Sequence, residues 1–254
     1  MLPINFTDKS VVVSGGGTGI GFEIAKSFAN LGAFVIITGR RIDILEDAKQ
    51  KIINEVSVSQ DKIVCFKCDM SKDKDVEKVF IEINSKFERL DILINNCGTW
   101  SLEEIDKIKT NELDYHFNNI LKSTVICTKL YSIYSKKPGV IINIGSFSGL
   151  LGMKNGSIYS SLKSAINSFT KSSAAELGLK KIRVNCVIPG VIRTPMTSEY
   201  IDRNYRKIID PIALGEVGEC VDIANAVIFL SSDFASYITG SILEVTGGKY
   251  LTQL

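Results

Sequence analysis

The 254-residue sequence holds one histidine, one tryptophan and five prolines. His116 sits in a helical pattern and reads as structural, which sets aside Ser-His-Asp, Cys-His and His-rich metal chemistry, so no metal is expected. No run reaches the roughly 18 apolar residues of a membrane helix. The stretch from Met1 to Lys9 is too short to carry a secretory signal before the first strand pattern. A cytoplasmic protein follows from both. Thirty basic residues against 28 acidic ones leave a net charge of +2, with the signs interspersed, so nucleic acid is not an expected partner. The chain also lacks repeats, low-complexity tracts and linkers. One domain over residues 1–254 is the expectation.

The six cysteines, Cys65, Cys68, Cys97, Cys127, Cys186 and Cys220, are scattered rather than arrayed as a disulfide framework. Cys65 and Cys68 form C-x-x-C, but the pair falls on a strand pattern. Residues three apart on a strand point to opposite faces, so buried free thiols are expected.

What the chain has is alternation. β-Branched runs recur at Val11–Val13, Phe34–Ile37, Ile63–Phe66, Ile92–Ile94, Val140–Ile144, Arg183–Val187 and Ile242–Val245. They are almost continuously apolar, as strands buried on both faces are. Helical patterns lie between them at Ile20–Leu31, Ile42–Val56, Asp73–Phe87, Asn111–Tyr134, Ile158–Leu177 and Val221–Leu230. Right-handed crossovers then give an α/β fold: a doubly wound, Rossmann-type parallel sheet with helices on both faces. Thr197–Pro211 breaks the alternation and reads as a loop or short helical excursion covering a site.

The run Ser14-Gly15-Gly16-Gly17-Thr18-Gly19-Ile20-Gly21 follows the first strand and opens a helix. Its glycines allow a tight turn and let backbone N–H groups approach a pyrophosphate at a helix N-terminus. The spacing G-x-x-x-G-x-G is neither G-x-G-x-x-G nor a P-loop. The second strand ends in Thr38-Gly39-Arg40-Arg41, with no carboxylate to bind ribose hydroxyls. Arg40 and Arg41 suit a 2′-phosphate, so NADP(H) is preferred over NAD(H). Asp69 and Met70, after the third strand, are expected to bind the cofactor, Asp69 by accepting from the adenine amino group.

Tyr159 and Lys163 are spaced i, i+4 and share one helix face. An ammonium beside the phenol is expected to lower the tyrosine pKa, making it an acid or base near neutral pH. Ser146, at the end of the strand Val140–Ile144, can hold the reacting oxygen as charge develops.

Together these stretches resemble the short-chain dehydrogenase/reductase family. Asn95-Asn96-Cys97-Gly98, Asn143-Ile144-Gly145-Ser146, Pro189-Gly190-Val191-Ile192-Arg193-Thr194 and Gly247-Gly248 extend the likeness along the chain. The resemblance implies about seven strands and a homo-oligomer, tetramer or dimer, built from helix faces. It also implies that Asn95, Asn96 and Gly98 border the cofactor, and that Pro189, Gly190, Ile192 and Thr194 hold the nicotinamide carboxamide. Lys163 would also bind the nicotinamide ribose. One departure stands out: gapless counting puts Ile120 where the family carries a relay asparagine. Asn118 and Asn119 are neighbours, and Asn119 serves as its substitute only if the helix bulges there.

The expected activity is interconversion of a carbonyl and an alcohol, as a reductase of an apolar or acyl-type ketone. The walls are expected at residues 99–102, 149–155 and 196–200, where Trp100, Leu150, Leu151, Met153 and Met196 are apolar. The alternatives are an enoyl-thioester reductase and a catalytically weak nucleotide-binding sensor or scaffold.

Overall fold

The computed structural model describes residues 4–249 and 251, apart from 88, 136 and 137. The first three residues of the segment judged too short for a signal lie outside that set. Seven strands form one parallel sheet. They are β1 (Ser10–Ser14), β2 (Phe34–Gly39), β3 (Ile63–Lys67), β4 (Ile92–Asn95), β5 (Gly139–Ile144), β6 (Ile182–Pro189) and β7 (Ile242–Val245). Their order is β3-β2-β1-β4-β5-β6-β7. The helices are α1 (Gly19–Asn30), α2 (Ile42–Val56), α3 (Asp73–Lys86), α4 (Thr110–Phe117), α5 (Ser123–Tyr134), α6 (Ser148–Leu151), α7 (Ser157–Leu177), α8 (Ser198–Ile209) and α9 (Cys220–Ser231).

Strand side chains alternate between two buried layers, which explains why the runs lack a polar face. Val11, Val13, Val35 and Ile37 pack against Ile24 and Phe28 of α1, Leu45 and Ile52 of α2, and Val227 of α9. Val12, Ile36 and Leu93 point the other way, onto Phe80 and Ile83 of α3 and Tyr131 of α5. Strands β2 and β3 are laid to one side of β1, and β4 to the other. The connections above β1 and β4 therefore diverge and open a crevice at the carboxyl ends of the strands.

Two elements differ from the reading of the sequence. The helix expected over 111–134 is interrupted: a π-helical turn, Asn118–Lys122, separates α4 from α5. The hydroxyls of Ser123 and Thr124 donate to the carbonyls of Asn119 (2.9 Å) and Ile120 (2.8 Å), so the wider turn leaves those groups paired. Apolar periodicity cannot register one inserted residue. Residues 197–211, read as a loop or short helical excursion, contain α8, a helix of 12 residues kinked at Asn204.

The C-x-x-C pair divides as strand geometry requires. The Cys65 thiol donates to the carbonyl of Leu45 on one side, and Cys68 packs in the opposite layer. All six cysteines are free. No helix among the described residues is long and apolar enough to cross a membrane.

Candidate active site

Over the carboxyl ends of β1, β2, β4, β5 and β6 lies one cavity of about 440 Å³. Of the residues read from the sequence as catalytic or cofactor-binding, all but Asn95 line it.

The glycine loop forms its floor. Gly15 has φ +67°, and a Cβ there would stand 3.1 Å from Asn96 Nδ2. A Cβ on Gly21 would run into the carbonyl oxygen of Gly15. Only glycine lets the loop fold this tightly over the start of α1. Asn96 Nδ2 donates to the carbonyls of Ser14 (3.0 Å) and Gly15 (3.2 Å), and Ser14 Oγ accepts from the backbone of Asn96 and Cys97. These bonds lock the end of β1 to the segment after β4. Thr18 caps α1 with no side-chain hydrogen bond, and the first turn carries no acid. Its N–H groups are left facing the cavity, which suits a pyrophosphate.

At the β2 end, Arg40 and Arg41 are exposed and line the cavity. Arg40 Nη1 lies 3.5 Å from the hydroxyl of Tyr115 on α4, whose hydrogen bond raises the guanidinium pKa further. Asp69 is the sole carboxylate among the lining residues described. It accepts from the backbone and hydroxyl of Ser71 at 3.1 and 2.7 Å. Burial pushes that carboxyl up, but the Ser71 bonds and the charges of Lys72 and Arg40 prevail and hold it below its usual value. Thr38, wholly buried near the end of β2, is among the lining residues, and its hydroxyl has no protein partner. A lining with an unpartnered hydroxyl and two exposed guanidinium groups is one that a phosphorylated nucleoside fits.

At the other end stand Ser146, just past β5, and Tyr159 and Lys163, one turn apart on α7. Lys163 is 5% exposed, and Nζ donates to the carbonyl of Ile144 at 2.8 Å. Desolvation lowers its pKa from 10.5 to about 8. The ammonium lies 5.8 Å from the centre of the Tyr159 ring. The expected acidification of Tyr159 by Lys163 is not what the site's own groups produce. Burial raises the phenol above 10, opposed by a hydrogen bond with Ser146. Desolvation of the phenolate outweighs that bond.

Three further placements correct the reading of the sequence. Ile120 is fully buried against Leu162, Ile166, Cys186 and Ile188, so it faces the core. The π-helical turn brings Asn119 to the cavity instead, but its Nδ2 donates to the carbonyl of Tyr115 (2.8 Å) and no hydrogen bond joins it to Lys163 or Tyr159. Asn95 does not border the cavity. It is buried, and its Nδ2 donates to Asn143 Oδ1 (2.9 Å) and Thr128 Oγ1 (3.1 Å), tying β4 to β5 and α5. Leu150 and Leu151 project into solvent from α6 rather than forming a wall. Trp100, Met153, Met196 and Tyr200 do line the cavity. Phe147, which no local pattern singled out, joins them with Thr38.

A family model described as Enoyl-(Acyl carrier protein) reductase matches residues 15–249. The 3-oxoacyl-[acyl-carrier-protein] reductase of Chlamydia trachomatis is 36% identical, over 95% of this chain and 97% of its own. A 3alpha-hydroxysteroid dehydrogenase of Mediterraneibacter gnavus is 35% identical, over 94% of this chain and 96% of its own. A solved short-chain dehydrogenase/reductase from Brucella melitensis, titled glucose/ribitol dehydrogenase, superposes with a TM-score of 0.92 at 27% identity, covering 98% of this chain and 99% of the other. The sheet order, the glycine loop and these likenesses agree: the chain belongs to the short-chain dehydrogenase/reductase family of nicotinamide-dependent oxidoreductases.

Proposed function

We propose that this enzyme is an NADP(H)-dependent reductase of an apolar or acyl-type ketone, with the reverse oxidation open to it. One observation carries the reading: a partly buried phenol that interacts with Ser146 and stands one helical turn from Lys163, at the edge of the nucleotide crevice.

Burial keeps the proton on Tyr159 at neutral pH, which makes it a donor to the substrate oxygen during reduction. Ser146 orients the phenol and stabilises that oxygen as it gains charge. Its own oxygen accepts from the backbone of Ser148 at 3.2 Å, which fixes the hydroxyl in place. Lys163, held by the carbonyl of Ile144, keeps positive charge near the phenol. The reverse reaction needs the phenolate and so gains as pH rises. When bound, the dinucleotide supplies or takes the hydride. Gly15 to Gly21 would hold its pyrophosphate, Arg40 and Arg41 its 2′-phosphate, and the Pro189–Thr194 segment its carboxamide. The absence of an acid at the end of β2 supports NADP(H) over NAD(H).

Trp100, Phe147, Met153, Met196 and Tyr200 give the substrate end an apolar wall, which favours a bulky or acyl ketone. The relatives named for 3-oxoacyl thioesters and a hydroxysteroid support that class. The description carried by the matched family model favours a second reading, reduction of enoyl thioesters, in which hydride adds to the C=C bond and the oxygen that gains charge is the thioester carbonyl's. Exposed Leu113 and Phe117 on α4 and Ile133 on α5 support assembly as a dimer or tetramer through those helices. Six free cysteines support a reducing, cytoplasmic setting.

The test follows reduced-cofactor absorbance with NADPH and with NADH over 3-oxoacyl thioesters, steroid ketones, cyclic ketones and enoyl thioesters. Ketone turnover with NADPH is expected. Turnover of enoyl thioesters alone, or preference for NADH, would overturn the respective half of the proposal.

A further inference from the structure

His116, which the sequence offers only as a helix residue, occupies a specific place. It is buried on α4, and both ring nitrogens are engaged: Nδ1 lies 2.7 Å from the hydroxyl of Thr99, and Nε2 lies 2.7 Å from the hydroxyl of Ser101. A neutral imidazole donates at one nitrogen and accepts at the other, and a hydroxyl serves either role. Both bonds are therefore satisfiable at once.

The residues it grips flank Trp100. Thr99 and Trp100 line the cavity, whereas Ser101 does not. Among the described residues, 98–102 neither donate nor accept a backbone–backbone hydrogen bond. That stretch of loop has no secondary structure of its own, so side-chain bonds must hold it. The indole between the two gripped residues meets the ring of Tyr200 edge-on, at 5.9 Å between centroids.

We infer that His116 is a positioning residue for the substrate wall, fixing the loop on both sides of Trp100 and so setting where the indole stands over the cavity. The inference takes from the proposed ketone reduction only what the wall receives; the clamp itself rests on geometry. His116 touches neither the crevice nor Tyr159, so its loss should act on substrate fit and leave the proton donor in place.

Trp100 is the chain's only tryptophan. Its emission therefore reports on this wall directly. In His116→Leu, emission should shift to longer wavelength, and KM for an apolar ketone should rise about tenfold, the size expected for losing two hydrogen bonds. Changes in kcat should stay within about twofold and dinucleotide affinity should hold, as neither depends on the wall. Ser101→Ala removes one bond from outside the cavity and should shift both readouts the same way, by about threefold in KM. His116→Gln, whose amide both donates and accepts, should restore most of each. Unchanged emission and KM in His116→Leu would overturn the inference. So would a joint loss of kcat, KM and dinucleotide affinity, the mark of a merely structural residue. Should His116→Leu fail to fold, the Ser101→Ala and His116→Gln spectra decide alone. Should the native enzyme reduce no ketone at all, the proposed function fails, while the emission comparison still judges the clamp.

Discussion

The two ends of the cavity treat charge in opposite ways. At the β2 end, Arg40 and Arg41 are exposed, and the charged side chains that shift there are held more firmly in their ionised forms: Arg40 is raised through Tyr115, while Asp69 ends below its usual value. At the β5–α7 end the shifts run toward the neutral form. Burial lifts Tyr159 and moves Lys163 down to about 8. The difference assigns the work. Solvated cations can select a nucleotide by its phosphate without large pKa cost, whereas proton transfer needs a dry site in which a phenol keeps its proton until a substrate oxygen takes it.

Substitutions at each end should break this contrast differently. The largest effect is expected from Tyr159→Phe. Ketone turnover should fall by about 10³-fold while dinucleotide affinity holds, measured by steady-state kinetics and cofactor fluorescence. Next come Arg40→Ala and Arg41→Ala. Each should weaken NADPH binding about tenfold at low salt while leaving NADH unchanged, because only the 2′-phosphate meets them. That loss should shrink as salt screens the exposed charges. The smallest effect concerns stability. Lys163 is buried, and its folded pKa of about 8 lies below the ordinary 10.5, so the folded protein releases this proton before the unfolded chain does. The desolvation cost is fully present below pH 8 and disappears as pH rises toward 10.5. Lys163→Met should therefore raise Tm by a few degrees at neutral pH, and the gain should vanish in alkaline buffer even though activity is lost. A lower Tm at pH 7 would mean that the bond to Ile144 outweighs burial.

Much of the site could be read from the chain because its signals are local. The glycine loop is contiguous, Tyr159 and Lys163 are one turn apart, and Ser146 ends an apolar run. Each feature needs only strand-then-helix context to become three-dimensional. The sheet was legible for the same reason, through continuous β-branched runs such as Ile92–Ile94. What the sequence hid depends on packing. One residue inserted in the helix after Phe117 decides that Asn119 rather than Ile120 reaches the cavity. The direction in which Tyr159 shifts depends on how much protein surrounds it, and spacing carries no record of that. Leu150 and Leu151 have the composition of a wall yet end a four-residue helix in solvent. His116 reaches two hydroxyls about fifteen residues back in the chain, a closure that periodicity does not report.

The protein's own groups keep Tyr159 protonated. Phenolate absorbance of the native enzyme minus that of Tyr159→Phe, followed against pH without nucleotide, isolates this one phenol. Its phenolate is expected to appear only above pH 10. A phenolate already formed at neutral pH would contradict it.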